Sequence, residues 1–250
     1  MTRRKDIRKR APAQALVEDI IERDAVEHIP QPVDLIAPVV AEAADPGFDR
    51  RFHEARMHER SGDHERAIEL YRELLREAPN EVRVRNNLGC LYEKRGDFLQ
   101  ALEQYEAARS VAPTSVSVLL NIGGVLTSLS RFDQAERELK HAQKLDPSRA
   151  DVYTQLGIMH FKRGRYSHAD VDLKRAIELD ADNAAAYFYR GEALNHLQRV
   201  DEAIEMLGHA VQLQPGNARA YYTMGLLYDR KNLRQEAQQM FRKAREVAAP

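Results

Sequence analysis

Histidines, a single cysteine and an Arg-Gly-Asp sequence are the residues whose side chains could do chemistry. His53, His58 and His64 are typical metal ligands, but spacings of five and six residues put them on different helix faces, which argues against a shared ion. Cys90, the only cysteine, has no sequence neighbour that would activate a thiol, so a buried structural role is predicted. The segment 95–97 reads Arg-Gly-Asp and resembles an adhesion motif, but its setting predicts a turn between helices.

Signatures of catalysis are absent from the sequence. It contains no G-x-x-x-x-G-K-[ST], no G-x-S-x-G and no H-E-x-x-H pattern. We therefore predict a protein that is not an enzyme and that uses no cofactor and no metal. An enzyme is kept as a third hypothesis, which would require a polar cluster that one sequence does not reveal.

Composition and charge narrow the class of partner. The 250 residues carry 38 lysines and arginines against 39 aspartates and glutamates, a net charge of −1, so nothing global draws the chain to nucleic acid or to an anionic membrane. No apolar run reaches the ~18 residues that a membrane-spanning helix needs. The basic N-terminus is not followed by an apolar segment of a secretion signal, and one cysteine fits a reducing compartment. A cytoplasmic location is the prediction.

A repeat of 34 residues dominates the chain. Its most regular markers are prolines, an alanine series and a series of small residues. The prolines are Pro79, Pro113, Pro147 and Pro215, with Ala181 in the missing place; the alanines are Ala67, Ala101, Ala135, Ala169, Ala203 and Ala237; the small residues are Ala55, Gly89, Gly123, Gly157, Gly191 and Gly225. Six units follow, with the bounds 48–81, 82–115, 116–149, 150–183, 184–217 and 218–250.

Each unit is predicted to form two amphipathic helices. In the second unit they cover about 82–94 and 98–111, and the second helix stops before a proline, because the residue that precedes proline avoids the α region. Asp97 suits the N-cap of the second helix, with Gln100 as its capping-box partner, and Asp63 suits the same place in the first unit. We expect Gly89 to permit close approach of the two helices, with Ala101 facing it.

The pattern resembles the tetratricopeptide repeat family. The 34-residue period is joined by the family's spacing of small, aromatic and proline residues, which the second unit shows as Leu88, Gly89, Tyr92, Gly96, Phe98, Ala101, Tyr105, Ala108 and Pro113. The resemblance covers residues 48–250. It implies an all-α fold, an α-solenoid in which about six helix-turn-helix repeats form a right-handed superhelix with one concave surface.

The family also implies binding of a peptide or a partner helix in the concave groove, lined by the second, fifth, sixth and ninth positions of the first helices. At the sixth position Asn87, Asn121 and Gln155 form a predicted ladder of side-chain amides. An amide offers a donor and an acceptor together, which suits the backbone of an extended peptide. The alternative interpretation is that they are solvated polar residues on an exposed face.

Apolar residues are predicted to line the groove further along the chain. They are Ile158, Phe188, Tyr189, Tyr222 and Leu226. Aromatic residues clustered on one surface usually indicate a partner. The alternative is that Phe188 and Tyr222 pack against neighbouring repeats as part of the core.

The two ends of the chain differ from the repeats. Residues 1–47 have the composition of a flexible tail, with a short helix considered at 14–29; docking another protein, capping the first unit and occupying the groove are the competing roles. The last unit is basic and is followed by no capping helix, which leaves self-association through this end open. We predict a non-catalytic scaffold that binds a protein or peptide partner, and the alternative is an accessory or regulatory subunit of an enzyme or of a secretion or assembly complex, docked through its ends or its tail.

Overall fold

The computed structural model describes residues 46–248, and the predictions made for residues 1–45 lie outside this range. The described part consists of twelve α-helices and contains no strand. In chain order they are α1 (Pro46–Arg60), α2 (His64–Glu77), α3 (Val82–Lys94), α4 (Phe98–Val111), α5 (Val116–Ser128), α6 (Phe132–Leu145), α7 (Ala150–Lys162), α8 (Tyr166–Leu179), α9 (Ala184–His196), α10 (Val200–Leu213), α11 (Ala218–Arg230) and α12 (Arg234–Ala248). The all-α solenoid prediction is confirmed.

Helix pairs repeat with the period of the sequence. The helices predicted for the second unit are confirmed, since α3 and α4 have the expected bounds. The described residues fall into two compact units, 46–181 with helices α1 to α8 and 182–248 with helices α9 to α12. Within each of these two compact units, every helix packs against the next helix in the chain.

The turn inside each repeat needs a residue in the left-handed region. Gly62, Gly96 and Gly164 have φ values of 81°, 81° and 80°. Three repeats use other residues at the same place, and these are Ser130, Gln198 and Asn232, with φ values of 58°, 63° and 61°. Glycine adopts this conformation without a Cβ penalty, so its use in half of the turns is favourable. The Arg-Gly-Asp sequence lies in such a turn, as predicted.

Helix capping follows the prediction at one aspartate and departs from it at another. The Asp63 carboxylate accepts a hydrogen bond from the backbone N–H of Arg66 at 3.3 Å, which satisfies one of the unpaired donors at the start of α2. Asp97 occupies the same position before α4, but its side chain makes no cap hydrogen bond. Its Oδ2 lies 2.9 Å from Nη2 of Arg95 instead, so the capping box predicted with Gln100 is wrong.

The small residue of each first helix faces a large one on the second helix. A Cβ built on Gly89 would stand 2.5 Å from the Tyr105 ring, which lies one helical turn beyond the alanine expected to face it. The side chain nearest to Gly89 is therefore that of Tyr105 and not that of Ala101. Ala101 is fully buried nonetheless, and it belongs to the core of residues 46–181.

Candidate functional site

Side-chain amides connect the first helices of residues 46–181. Nδ2 of Asn121 on α5 donates to Oδ1 of Asn86 on α3 at 2.7 Å. The amide of Gln155 on α7 lies against α5, because its Oε1 is 3.6 Å from the place of a Cβ on Gly124. Side-chain amides from α3 and from α7 therefore both lie against α5.

Hydrogen bonds to neighbouring side chains engage part of this amide series. Nδ2 of Asn87 donates to Oη of Tyr71 at 3.2 Å, and Tyr71 donates to Oε2 of Glu59 at 3.3 Å. Asn121 is only 6% exposed, whereas Asn87 and Gln155 are half-buried. Asn87 and Gln155 are thus the predicted amides that a ligand reaches most directly. The Asn86 amide, which the sequence analysis missed, links α3 to α5 and stands beside Asn87 on the same helix.

The predicted apolar residues differ in how much surface they offer. Ile158 is 3% exposed, Phe188 is 2% exposed and Tyr189 is 6% exposed. Tyr222 is half-buried, and its ring centroid lies 5.5 Å from that of Phe241 on α12. Leu226, at 40%, is the most exposed of the five.

A buried polar group lies between α3 and α4. Oη of Tyr105 donates to Oε2 of Glu93 at 2.7 Å and lies 3.3 Å from Sγ of Cys90. Burial raises the pKa of Glu93 to about 7, since an ionised carboxylate is disfavoured away from water. Burial also raises the pKa of Cys90, which makes its thiol a poor nucleophile and agrees with the structural role predicted for it.

A second buried polar group joins α7 and α8. Nε2 of His160 lies 3.5 Å from Oδ2 of Asp172, and Nδ1 of His160 has no hydrogen-bond partner. Burial lowers the pKa of His160 to about 4 and raises the pKa of Asp172 to about 6. Four of the other five repeats have tyrosine or leucine at the place of His160, whereas the first repeat has His58, and the exchange was the sequence signal for this group.

A third buried group lies in residues 182–248. Oε2 of Glu192 on α9 is 3.6 Å from Nη2 of Arg219 on α11. The same guanidinium lies over the Phe188 ring, with Cζ 5.5 Å from the ring centroid. Oε1 of Glu192 is buried and has no hydrogen-bond partner. Glu192 and Arg219 occupy ninth and second positions of first helices, which are among the positions that the family resemblance assigns to the groove.

The histidines of the first repeat are engaged separately. Nδ1 of His53 lies 2.7 Å from the carbonyl oxygen of Asp49, and Nδ1 of His58 lies 3.1 Å from Oδ2 of Asp63. Within residues 46–248, no group of three or more His, Cys, Asp or Glu side chains is arranged to hold a metal ion.

Comparison with known proteins decides the family. The family model described as "Cilia and flagella-associated protein 70 C-terminal domain", a tetratricopeptide repeat (TPR) model, matches residues 13–250. The chain belongs to this TPR family. No curated protein matches the chain. Proteins built from TPR repeats are generally non-catalytic interaction scaffolds, so the family favours that class of function.

Solved TPR structures resemble the chain over most of their own length. The crystal structure of MamA is 32% identical, with 64% of this chain and 94% of that chain covered and a TM-score of 0.56. YrrB, described as "a TPR protein with an unusual peptide-binding site", is 23% identical, with 71% and 91% covered and a TM-score of 0.51. A tetratricopeptide repeat protein from Parabacteroides merdae is 16% identical, with 95% and 87% covered and a TM-score of 0.70.

The described TPR helices were compared with the length and hydrophobicity of membrane-spanning helices. Between residues 46 and 248, none of them has both the length and the apolar character needed to cross a bilayer.

Proposed function

We propose that this TPR protein is a non-catalytic scaffold that binds an extended peptide segment or a partner helix on the faces formed by its first helices. One observation carries the proposal. The hydrogen bond between Asn121 and Asn86, together with the contact of Gln155 with Gly124, brings side-chain amides from two neighbouring first helices against α5. Among the amides on these helices, the half-buried Asn87 and Gln155 can donate to and accept from a peptide backbone without demanding a particular side chain.

Of the predicted residues Ile158, Phe188, Tyr189, Tyr222 and Leu226, the last two are assigned to apolar anchoring, because the first three are at most 6% exposed. Leu226 and the half-buried ring of Tyr222, both on α11, offer the surface that a ligand can cover directly. Burial of exposed apolar area is the main favourable term in most association reactions. The description of YrrB as peptide-binding supports the same class of ligand, while the likeness itself concerns the fold.

The test compares the effect on peptide binding of removing two pairs of side-chain amides, both within residues 46–181. Peptides are selected from a random dodecapeptide display library on the full chain, and the dissociation constant of a selected peptide is measured by calorimetry. The Asn87→Ala, Gln155→Ala variant removes half-buried amides of first helices. The control variant, Gln100→Ala, Gln134→Ala, removes exposed amides of the second helices α4 and α6.

Loss of both first-helix amides should weaken binding by about tenfold or more, since each hydrogen bond contributes ~1 kcal/mol. The control should bind like the unmodified chain. Equal affinities of all three proteins, or a library that yields no binder, would show that these amides do not form a peptide site.

The alternative function is an accessory or regulatory subunit that is held through its ends. Exposed Arg242 and Arg245 on α12 favour it, because they give the last helix a basic outer face. Charge reversal at these two arginines should abolish such docking and leave peptide affinity unchanged, and co-purification with the partner complex distinguishes the two outcomes.

A further inference from the structure

Glu192 is a buried carboxylate that the described residues do not satisfy. It is 6% exposed, and its Oε1 has no hydrogen-bond partner. An ionised carboxylate accepts hydrogen bonds at both oxygens and is costly to bury without them. Side chains with this much unmet capacity are uncommon in folded proteins and call for an explanation.

Arg219 neutralises this carboxylate incompletely. Its nearest nitrogen lies 3.6 Å from Oε2, beyond the usual length of a hydrogen bond, and its guanidinium is placed over the ring of Phe188. The Arg219 side chain is 30% exposed, whereas that of Glu192 is 8% exposed. Arg219 is therefore the more solvent-exposed member of the pair.

We propose that Glu192 selects for a basic residue in the bound peptide, by accepting the ammonium or guanidinium of a lysine or arginine at Oε1. This inference rests on the proposed function, because it assigns a ligand class to the first-helix face of residues 182–248. A cation is favoured over a neutral donor, since hydrogen bonds between ionised partners are shorter and stronger than neutral ones.

The helix that carries Arg219 offers apolar surface for the rest of such a side chain. Lysine and arginine carry aliphatic stems that pack on apolar surface while the charged end reaches a polar partner. Leu226 is 40% exposed and Tyr222 is half-buried, and both lie on α11 with Arg219. Aromatic rings also attract cations, as Arg219 on Phe188 already shows. A basic residue with apolar neighbours in the peptide is the matching ligand.

The experiment uses the dodecapeptide library on the full chain and on two matched variants. Glu192→Gln keeps the side-chain shape and removes the charge. Glu205→Gln makes the same change at an exposed glutamate on α10, in the same repeat. From the unmodified chain and the Glu205→Gln control, we expect peptides with lysine or arginine at one fixed position. Replacing that basic residue of the peptide by methionine should weaken its binding to the unmodified chain and to Glu205→Gln by about tenfold or more. The same replacement should weaken binding to Glu192→Gln by less than about threefold.

The outcomes separate the two proposals. If the library yields no binder, the proposed function fails, and this inference fails with it. If peptides are selected but show no basic position, or if the loss caused by methionine is the same in Glu192→Gln as in the unmodified chain, the inference is overturned while peptide binding stands. Melting temperatures of the variants are measured alongside, so that a change in affinity is not confused with unfolding.

Discussion

Leu173 fills the space that a Cβ on Gly157 would occupy, because the Cγ of Leu173 would lie 2.4 Å from that atom. The same relation holds between the first and second helices of four other repeats. The pairs are Gly89 with Tyr105, Gly123 with Leu139, Gly191 with Leu207 and Gly225 with Phe241. The spacing between α7 and α8 is therefore set by one missing side chain and one large side chain.

Replacement of Gly157 by alanine should destabilise the protein. Leu173 is fully buried and would have to shift to admit the new Cβ, and overpacking of this kind costs about 1–3 kcal/mol. Gly208→Ala is the matched control, because a Cβ on this helical glycine would meet no atom within 4 Å. It should be neutral or stabilising by up to ~1 kcal/mol. Urea denaturation measures both, and equal stabilities would refute the steric argument.

Glu93→Gln should change how stability depends on pH. The pKa of Glu93 is raised to about 7 in the folded state, so the folded protein holds this proton more tightly than the unfolded chain does. Its contribution to stability is present at acidic pH and is lost as the pH rises through about 7.

Glutamine keeps an acceptor for the hydroxyl of Tyr105 and has no charge to bury. At pH 8 the free energy of unfolding of the variant should exceed that of the unmodified protein by about 1–3 kcal/mol, and at pH 5 the difference should be smaller. Chemical denaturation between pH 5 and pH 8 measures this, with exposed Glu103→Gln as the control. A constant difference across that range would mean that Glu93 titrates normally.

His160→Leu should make the protein more resistant to acid. The pKa of His160 is lowered to about 4, mainly by burial, so stability contributed by the neutral ring is lost as the pH falls from about 6.5 towards 4. Leucine cannot take up a proton, and it is the residue used at the same place in two other repeats.

The titratable groups around His160 are Glu136 and Lys140 from α6, Arg165 from the turn between α7 and α8, and His168 and Asp172 from α8. Asp172 acts with the opposite sign, because its raised pKa of about 6 makes its contribution fall as the pH rises. Because Asp172 lies 3.5 Å from His160, a comparison of the variant with the unmodified chain reports on the two groups together, and the acid resistance expected of the variant is the part due to His160. Melting temperatures at pH 7 and pH 5 test this against exposed His141→Leu, and parallel losses in both variants would contradict it.

The two aspartates before second helices should differ in their effect on stability. Asp63→Ala removes a cap hydrogen bond and should cost about 1 kcal/mol. Asp97→Ala removes a side chain that makes no such bond, so its cost should be smaller. Thermal denaturation of the two variants compares them directly, and a larger loss for Asp97→Ala would reverse the assignment.

Periodicity predicted the helices well, because each repeat supplies its own start and stop signals. A glycine or polar residue in the turn precedes the second helix, and in four repeats a proline follows that helix, so the bounds of α3 and α4 could be read from spacing alone. The facing residue could not be read in this way. Ala101 and Tyr105 lie one turn apart on the same face of α4, and only the axial shift between two packed helices decides which one meets Gly89.

The surroundings of side chains at the predicted binding positions could not be predicted from sequence spacing either. Spacing places Asn87 and Asn121 on equivalent faces, but it does not give their degree of burial or the bond from Asn121 to Asn86. Glu192 was missed because a charged residue on a helix face is normally solvated, and its burial depends on Arg219 from the next repeat.

The pairing of a glycine with a large residue affects how a gene that encodes these repeats can gain further repeats. Both members of each pair belong to one repeat, so a segment of 34 codons carries a complete helix-packing unit wherever it is inserted. The contact of Glu192 with Arg219 is different, because its two residues are contributed by successive repeats. Duplication of a whole repeat would preserve the first kind of contact, but inserting a unit between these two repeats would separate the second pair.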